Sequence, residues 1–191
     1  MSAGNTTPAF SVLLLSGGRG QRMGGQDKGL VPWRDKPMIA WAAQVVRTLT
    51  DDLIISCNRN TEQYAAFADR LVRDEQDNFP GPLAGIRAAL KIARHRQLLV
   101  LPCDAPEIDQ TLILELIAAA NGQAAMVRQG EYWQPLFCVI PTTLRDDLEQ
   151  AWRAGQRSPQ RWLSAHHPAA LDLPAHDARL SNINSVDMLK P

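Results

Sequence analysis

Cysteine is scarce in this chain, with Cys57, Cys103 and Cys138 as three widely spaced residues among 191. An odd count with no paired-cysteine motif leaves neither a disulfide framework nor a cysteine zinc site to build on, and suits a reducing compartment. Neither sign of charge is in excess, because 20 Lys plus Arg meet 20 Asp plus Glu. There is therefore no global field to hold nucleic acid or an anionic membrane. Long apolar runs are missing too. The stretch from Val12 to Leu15 is too short for a signal-peptide core or a membrane span. Internal repeats, low-complexity segments and linkers are also lacking. The histidines do not gather into a zinc site: His166 and His167 are adjacent before Pro168, His95 ends a basic stretch, and His176 lies in a polar one. These absences leave a cytoplasmic, soluble protein, with residues 1–9 expected as a disordered tail and 10–191 as one domain, a length that buries a full core.

What is present is a cluster of glycine where an apolar segment ends. Leu13-Leu14-Leu15-Ser16 runs into Gly17, Gly18, Gly20, Gly24 and Gly25, with Arg19, Arg22 and Lys28 interleaved. Glycine backbones adopt conformations closed to other residues, so successive N–H groups can converge on phosphate oxygens. Two familiar phosphate loops do not fit. A dinucleotide fingerprint needs a glycine where Met23 stands, and a P-loop needs its lysine where Gln26 stands, followed by Ser or Thr. Up to Lys36 five basic residues face only Asp27 and Asp35, so the positive charge is local and marks the place for an anionic ligand. On its own, each of these cations also reads as a solvated loop residue.

Short apolar or β-branched runs at 11–15, 53–56, 97–101 and 124–128 alternate with stretches of helical spacing. The expected fold class is α/β, a Rossmann-like three-layer sandwich around a mostly parallel sheet. Pro37 is placed in a first helical turn, with an apolar face through Ile39, Ala42, Val45, Val46 and Leu49. Further helices are expected over 61–67, 83–93, 111–120 and 142–154, a later strand over 133–140, and a terminal turn over 185–190. In such sheets ligands bind beyond the carboxyl ends of strands, which puts the glycine-rich loop and Pro102-Cys103-Asp104 at one crevice. Cys103 reads as a small buried side chain, and Trp133, Trp152 and Trp162 read as core.

The order Leu-x-Gly-Gly, Arg-Met-Gly-Gly, Asp27-Lys28-Gly29 resembles the nucleotidyltransferases, and the doubled Gly24-Gly25 resembles most the MobA-like molybdenum cofactor guanylyltransferases. The likeness continues through Asn58-Arg59, Pro80-Gly81-Pro82-Leu83-Ala84-Gly85, Pro102-Cys103-Asp104-Ala105-Pro106 and Asn182-Ile183-Asn184-Ser185, nearly the whole chain. It implies a fold of the nucleotide-diphospho-sugar transferase type and transfer of GMP from GTP to the phosphate of molybdopterin or Mo-molybdopterin, with release of pyrophosphate. It also implies Mg2+ as cofactor, and cofactor-synthesis proteins and recipient molybdoenzymes as partners. Two alternatives stay open: a CTP-dependent cytidylyltransferase on the same acceptor, or another phosphorylated alcohol or sugar, and a carrier that binds GTP or the cofactor without chemistry.

The resemblance also distributes roles. Lys28, assisted by Arg22 or Arg19, would meet the charge that develops on the transferred and leaving phosphates. Asp104 would hold magnesium, a hard cation that favours carboxylate oxygen; by spacing alone it is equally a turn or cap residue before Pro106. Leu15, Ser16, Gly17 and Gly18 would line the nucleotide loop, with Ser16 in place of the usual alanine. Asp74 would accept from guanine N1 and N2, the alternative being an ordinary acidic loop with Glu75 and Asp77. Asn58 and Ser56 would flank the base, although Ser56 stands where relatives often carry an amide. Gly81 would admit the nucleotide and Gly85 the acceptor, or both would serve a plain helix start. Asn182, Asn184 and Arg157 complete the acceptor side, with capping of a terminal helix the alternative for the asparagines.

Overall fold

A strand covered on both faces needs apolar side chains pointing both ways, so a central parallel strand reads as an unbroken apolar run. In the computed structural model, which describes residues 9–16, 27–74 and 81–183, Ser11–Leu15 (β1) is buried at every position. Val12 and Leu14 join one core, and Leu13 and Leu15 join the other.

The chain continues through a hairpin, Pro32–Trp33 (β2) and Lys36–Pro37 (β3), into the helix Met38–Arg47 (α1). Leu53–Ser56 (β4), Thr61–Ala65 (α2) and Arg70–Val72 (β5) follow, then Pro82–Ile92 (α3), Gln97–Pro102 (β6) and Gln110–Ala120 (α4). The last third holds the hairpin Ala125–Gln129 (β7) and Tyr132–Pro141 (β8), then Arg145–Arg153 (α5), Pro159–Ser164 (α6) and Ala169–Leu173 (β9). Seven strands form one sheet in the order β5-β4-β1-β6-β8-β7-β9. The first four are parallel, β8 runs antiparallel to both β6 and β7, and β9 is parallel to β7.

Helices cover both faces, as expected for three layers. Ile39 and Val46 of α1, Tyr64 of α2, and Ile113 and Leu116 of α4 pack on one side. Leu83, Ile86 and Leu90 of α3, Trp152 of α5, and Trp162 and Leu163 of α6 pack on the other. Fully burying a leucine of this kind contributes about 1.5–3 kcal/mol, so each face is held by several such side chains rather than by polar links. The expected tryptophan cores hold for Trp152 and Trp162, while Trp133 is only partly buried. Cys57, Cys103 and Cys138 are all free and buried.

Several boundaries differ from expectation, each for a local reason. Pro37 does not begin α1; it sits in extended backbone at φ −56, ψ 144, pairing with Pro32 in the hairpin. The helix expected over 142–154 opens as a 3-10 turn, Thr142–Leu144, before α5. The second helix stops at Ala65, two residues early. The hairpin β2–β3, the strands β5 and β9, and α6 were not anticipated. The expected tail, apart from Ala9, and the expected terminal turn lie outside the described residues. Among the described residues no helix is long and apolar enough to cross a membrane.

Hydrogen bonding past the strand ends keeps neighbouring loops in step at the carboxyl edge. Ser16 donates its amide to the Ser56 carbonyl at 2.9 Å, Cys57 to Val72 at 3.0 Å, and Cys103 to Leu15 at 3.1 Å. That ladder places Asp74, Asn58, Ser16 and Asp104 on successive strands of one edge.

Candidate active site

Lys28 opens the short 3-10 turn Lys28–Leu30, and its ammonium donates to Asp104 Oδ2 across the end of the sheet. Both are half-enclosed, with side chains 24% and 15% exposed, so the pair is shielded without being cut off from solvent. Asp104 stands in the turn two residues past the end of β6 and is not a helix cap. That task belongs to Asp109, which accepts from the Leu112 amide at 2.7 Å to start α4. The carboxylate at position 104 is thereby left to the crevice, where its oxygens suit a hard cation that shares its shell with phosphates. Among the described residues no group of three or more His, Cys, Asp or Glu forms a metal cage.

Asp27, the neighbour of Lys28, is tied down from below. Its carboxylate, 6% exposed, accepts from the Tyr64 hydroxyl at 2.5 Å and from Asn60 Nδ2 at 2.9 Å, and Arg59 Nε lies 3.5 Å away. Ser16 Oγ in turn donates to the Tyr64 hydroxyl. Tyr64 is fully buried. Burial drives its phenol far above the ordinary value, so it serves as a fixed donor and not as a base. Gly29 fits against this arrangement only because it has no Cβ, which would stand 2.5 Å from the Tyr64 oxygen.

Asn58 and Asp74 face each other at the ends of β4 and β5. Asn58 Nδ2 donates to Asp74 Oδ2 at 2.8 Å, and the Asp74 amide donates to Asn58 Oδ1 at 2.9 Å. Burial raises the Asp74 carboxyl above its ordinary value, and the Asn58 bond opposes that rise. The remaining anticipated residues divide. Ser16 and Leu15 lie at the crevice edge, both 9% exposed. Ser56 is 3% exposed and turns under α3, where a Cβ on Gly85 would approach its Oγ to 2.6 Å and Leu15 Cδ2 to 2.9 Å. The close approach expected at Gly85 is thus made to the sheet itself. Gly81 caps α3 at φ +94, a conformation L-residues rarely take, and no atom of the described residues lies close to where a Cβ would stand.

On the other side of Asp104, the Ile183 amide donates to the Asp104 carbonyl at 2.9 Å, and the Ile183 side chain packs with Val31 and Met38. Adjacent Asn182 has a buried Oδ1 with no hydrogen-bond partner among the described residues. Arg157 is placed differently. Its guanidinium lies 3.8 Å over the Trp152 ring and donates to the carbonyls of Trp152 and Gln156 at 2.8 Å, closing the end of α5. Gly17, Gly18, Arg19, Arg22 and Asn184 lie outside the described residues.

The thiols have no nucleophilic role here. Burial, with the charge of Asp104, pushes Cys103 up to about 12, and burial with Asp27 pushes Cys57 up to about 11. His95 meets Asp51 at 2.6 Å and His166 meets Asp147 at 2.9 Å, both away from this edge. Sequence reasoning missed Asp27, Tyr64 and Asn60. The available signal was a tyrosine, one of two in the chain, six residues after Asn58-Arg59 begins.

The family model and the curated relatives agree on one family. The MobA-like NTP transferase domain matches residues 12–170. The molybdenum cofactor guanylyltransferase of Ectopseudomonas mendocina (strain ymp) is 60% identical over 179 residues, covering 94% of this chain and 89% of the relative. Its counterpart from Pseudomonas fluorescens (strain SBW25) is 56% identical over 183 residues, covering 94% and 92%. In fold, the chain is similar to the crystal structure of molybdopterin-guanine dinucleotide biosynthesis protein A from Archaeoglobus fulgidus, with a TM-score of 0.73 at 22% identity over 94% of both chains.

Proposed function

This chain belongs to the MobA-like NTP transferase family, and from that membership we propose that it transfers GMP from GTP to the phosphate of molybdopterin, with or without molybdenum bound. The observation that carries the reading is the meeting of Lys28 and Asp104 at the carboxyl edge of β1 and β6, beside the Asn58–Asp74 pair. The relatives' names favour guanine over cytosine.

The acceptor phosphate is already anionic near neutral pH, so the reaction needs no strong general base. One acceptor oxygen attacks the α-phosphorus as the bond to the β-phosphate oxygen breaks; pyrophosphate leaves with that electron pair and the GMP unit stays on the acceptor. The protein's part is position and charge. Lys28 turns from Asp104 to the triphosphate, and Asp104 is the residue to hold Mg2+, which would neutralise phosphate charge. Asp74, steadied by Asn58, accepts from the guanine N1 and N2 groups. Asn182, with its orphaned amide oxygen, lies on the acceptor side, where a pterin presents N–H donors.

A cytoplasmic location, contact with proteins of cofactor synthesis and hand-over of the product to recipient molybdoenzymes complete the proposal. The test is magnesium-dependent pyrophosphate release with molybdopterin as acceptor, run in parallel with GTP and CTP. GTP-selective release is the expected result. A preference for CTP overturns the base assignment, and nucleotide binding without release overturns catalysis in favour of a carrier.

A further inference from the structure

Tyr64 presents a problem that its packing does not answer. Its ring fills one core fully, yet a phenylalanine would fill the same space without a hydroxyl to satisfy. The hydroxyl is satisfied on both sides, accepting from Ser16 Oγ and donating to Asp27 Oδ1 at 2.5 Å. It therefore links the end of β1 to the residue immediately before Lys28. The helix that carries it, α2, has five residues and is too short to stand alone. It is fixed at its start by Asn60, in left-handed backbone at φ +53, whose side chain also donates to Asp27 at 2.9 Å. On the far side of Lys28, Gly29 packs against the same Ser16–Tyr64 pair so closely that no Cβ fits.

We propose that Tyr64 is a positioning residue for the nucleotide-binding lysine: its hydroxyl, clamped between Ser16 and Asp27, fixes the backbone from which Lys28 reaches the phosphates. This rests on the functional reading of Lys28 given above. Lysine has a long, flexible stem, and ordering it costs up to about 2 kcal/mol, so a lysine whose root is anchored on both sides meets a phosphate with less left to order. Tyr64 is too deeply buried to touch the nucleotide, and its effect passes entirely through Asp27 and Gly29.

The experiment compares full-length wild type with Tyr64→Phe, Asp27→Asn and the double variant. The first readout needs no turnover: the rate at which trace acetic anhydride acylates Lys28, measured by peptide mass spectrometry against Lys91 in the same molecule. Tyr64→Phe should raise the Lys28 rate several-fold and weaken its protection by GTP, while the melting temperature falls by a few degrees because Ser16 and Asp27 are each left one hydrogen bond short. In parallel, kcat/KM for GTP should fall about tenfold while KM for the acceptor stays put, and the double variant should lose no more than the worse single one. Should Tyr64→Phe fail to fold, Asp27→Asn, which keeps the phenol in place, must show the same labelling change. Wild-type labelling in the variants, or losses that add in the double variant, overturns the positioning role. An absence of pyrophosphate release in the wild type overturns the functional reading and leaves the labelling test intact.

Discussion

Lys28 and Asp104, 76 positions apart, are joined as an ion pair at the carboxyl edge of the sheet, so the two groups assigned to triphosphate and metal neutralise each other in the absence of ligand. Neither charge is stranded in a half-enclosed site, where an isolated charge is costly. On the proposed reading, the nucleotide would draw Lys28 and the metal would draw Asp104 out of this contact.

Replacing either partner should therefore harm turnover far more than folding. Lys28→Ala and Asp104→Asn are each expected to lower kcat by about a hundredfold or more, the scale seen when a single transition-state electrostatic contact is removed. Circular dichroism melts should move by only a few degrees. Lys28→Ala with wild-type pyrophosphate release would refute the assignment.

The Asn58–Asp74 pair sets an acid limit. An aspartate must be ionised to accept two guanine N–H bonds, and burial raises the Asp74 carboxyl from its ordinary 3.8, so its ionised form disappears at a higher pH than usual. The fall in kcat/KM for GTP on the acid side should accordingly lie above pH 3.8. Asn58→Ala removes the bond that opposes the rise and should shift the limb further upward. A limb that stays in place in that variant speaks against Asp74 as the base contact.

Gly85→Ala should destabilise the protein by crowding Ser56 and, at the crevice edge, Leu15. The added Cβ would stand 2.6 Å from Ser56 Oγ and 2.9 Å from Leu15 Cδ2, an overpacking that costs about 1–3 kcal/mol. Ser56→Gly vacates that space, so the double variant should recover most of the lost melting temperature. Additive losses would show that the clash is not the cause.

At the opposite edge of the sheet, Asp52 is fully buried and accepts from Ser11 Oγ at 2.5 Å, from the Arg94 amide at 2.9 Å and from Arg70. Burial pushes its carboxyl up, but these bonds together outweigh burial and hold it below 3.8. Because the folded value is the lower one, its contribution is complete above pH 3.8 and is lost as pH falls from there through the folded value. Asp52→Ala should cost about 3–5 kcal/mol by leaving Arg70 uncompensated. Asp52→Asn should flatten the acid side of the stability curve, read as urea midpoints against pH.

How much of this was visible in the chain follows from how each part is encoded. β1, β4 and α4 were legible because their burial is continuous, and Val12 to Leu15 announces it. The hairpin β2–β3 was not, since two residues per strand between Pro32 and Pro37 leave no period to read. Ala169–Leu173 is only partly buried and carries Asp172 toward solvent, so it lacks an apolar run. In the site, Lys28 and Asp104 stood out by residue type and context, yet their mutual contact depends on β1 and β6 being neighbours. Tyr64 was hidden because a buried tyrosine in a short helix looks like core until its hydroxyl is traced to Asp27. Arg157 stood out by charge, and the structure spends that charge on the end of α5.

The reversal of strand direction at β8 has a mechanical consequence. β6 is the last strand of the parallel half and the first neighbour of the antiparallel half, so Asp104 is suspended just beyond a strand that is hydrogen-bonded on both sides. Its backbone cannot drift without loosening the ladders to β1 and β8 together, which makes this point of the crevice stiffer than any loop that leaves an edge strand.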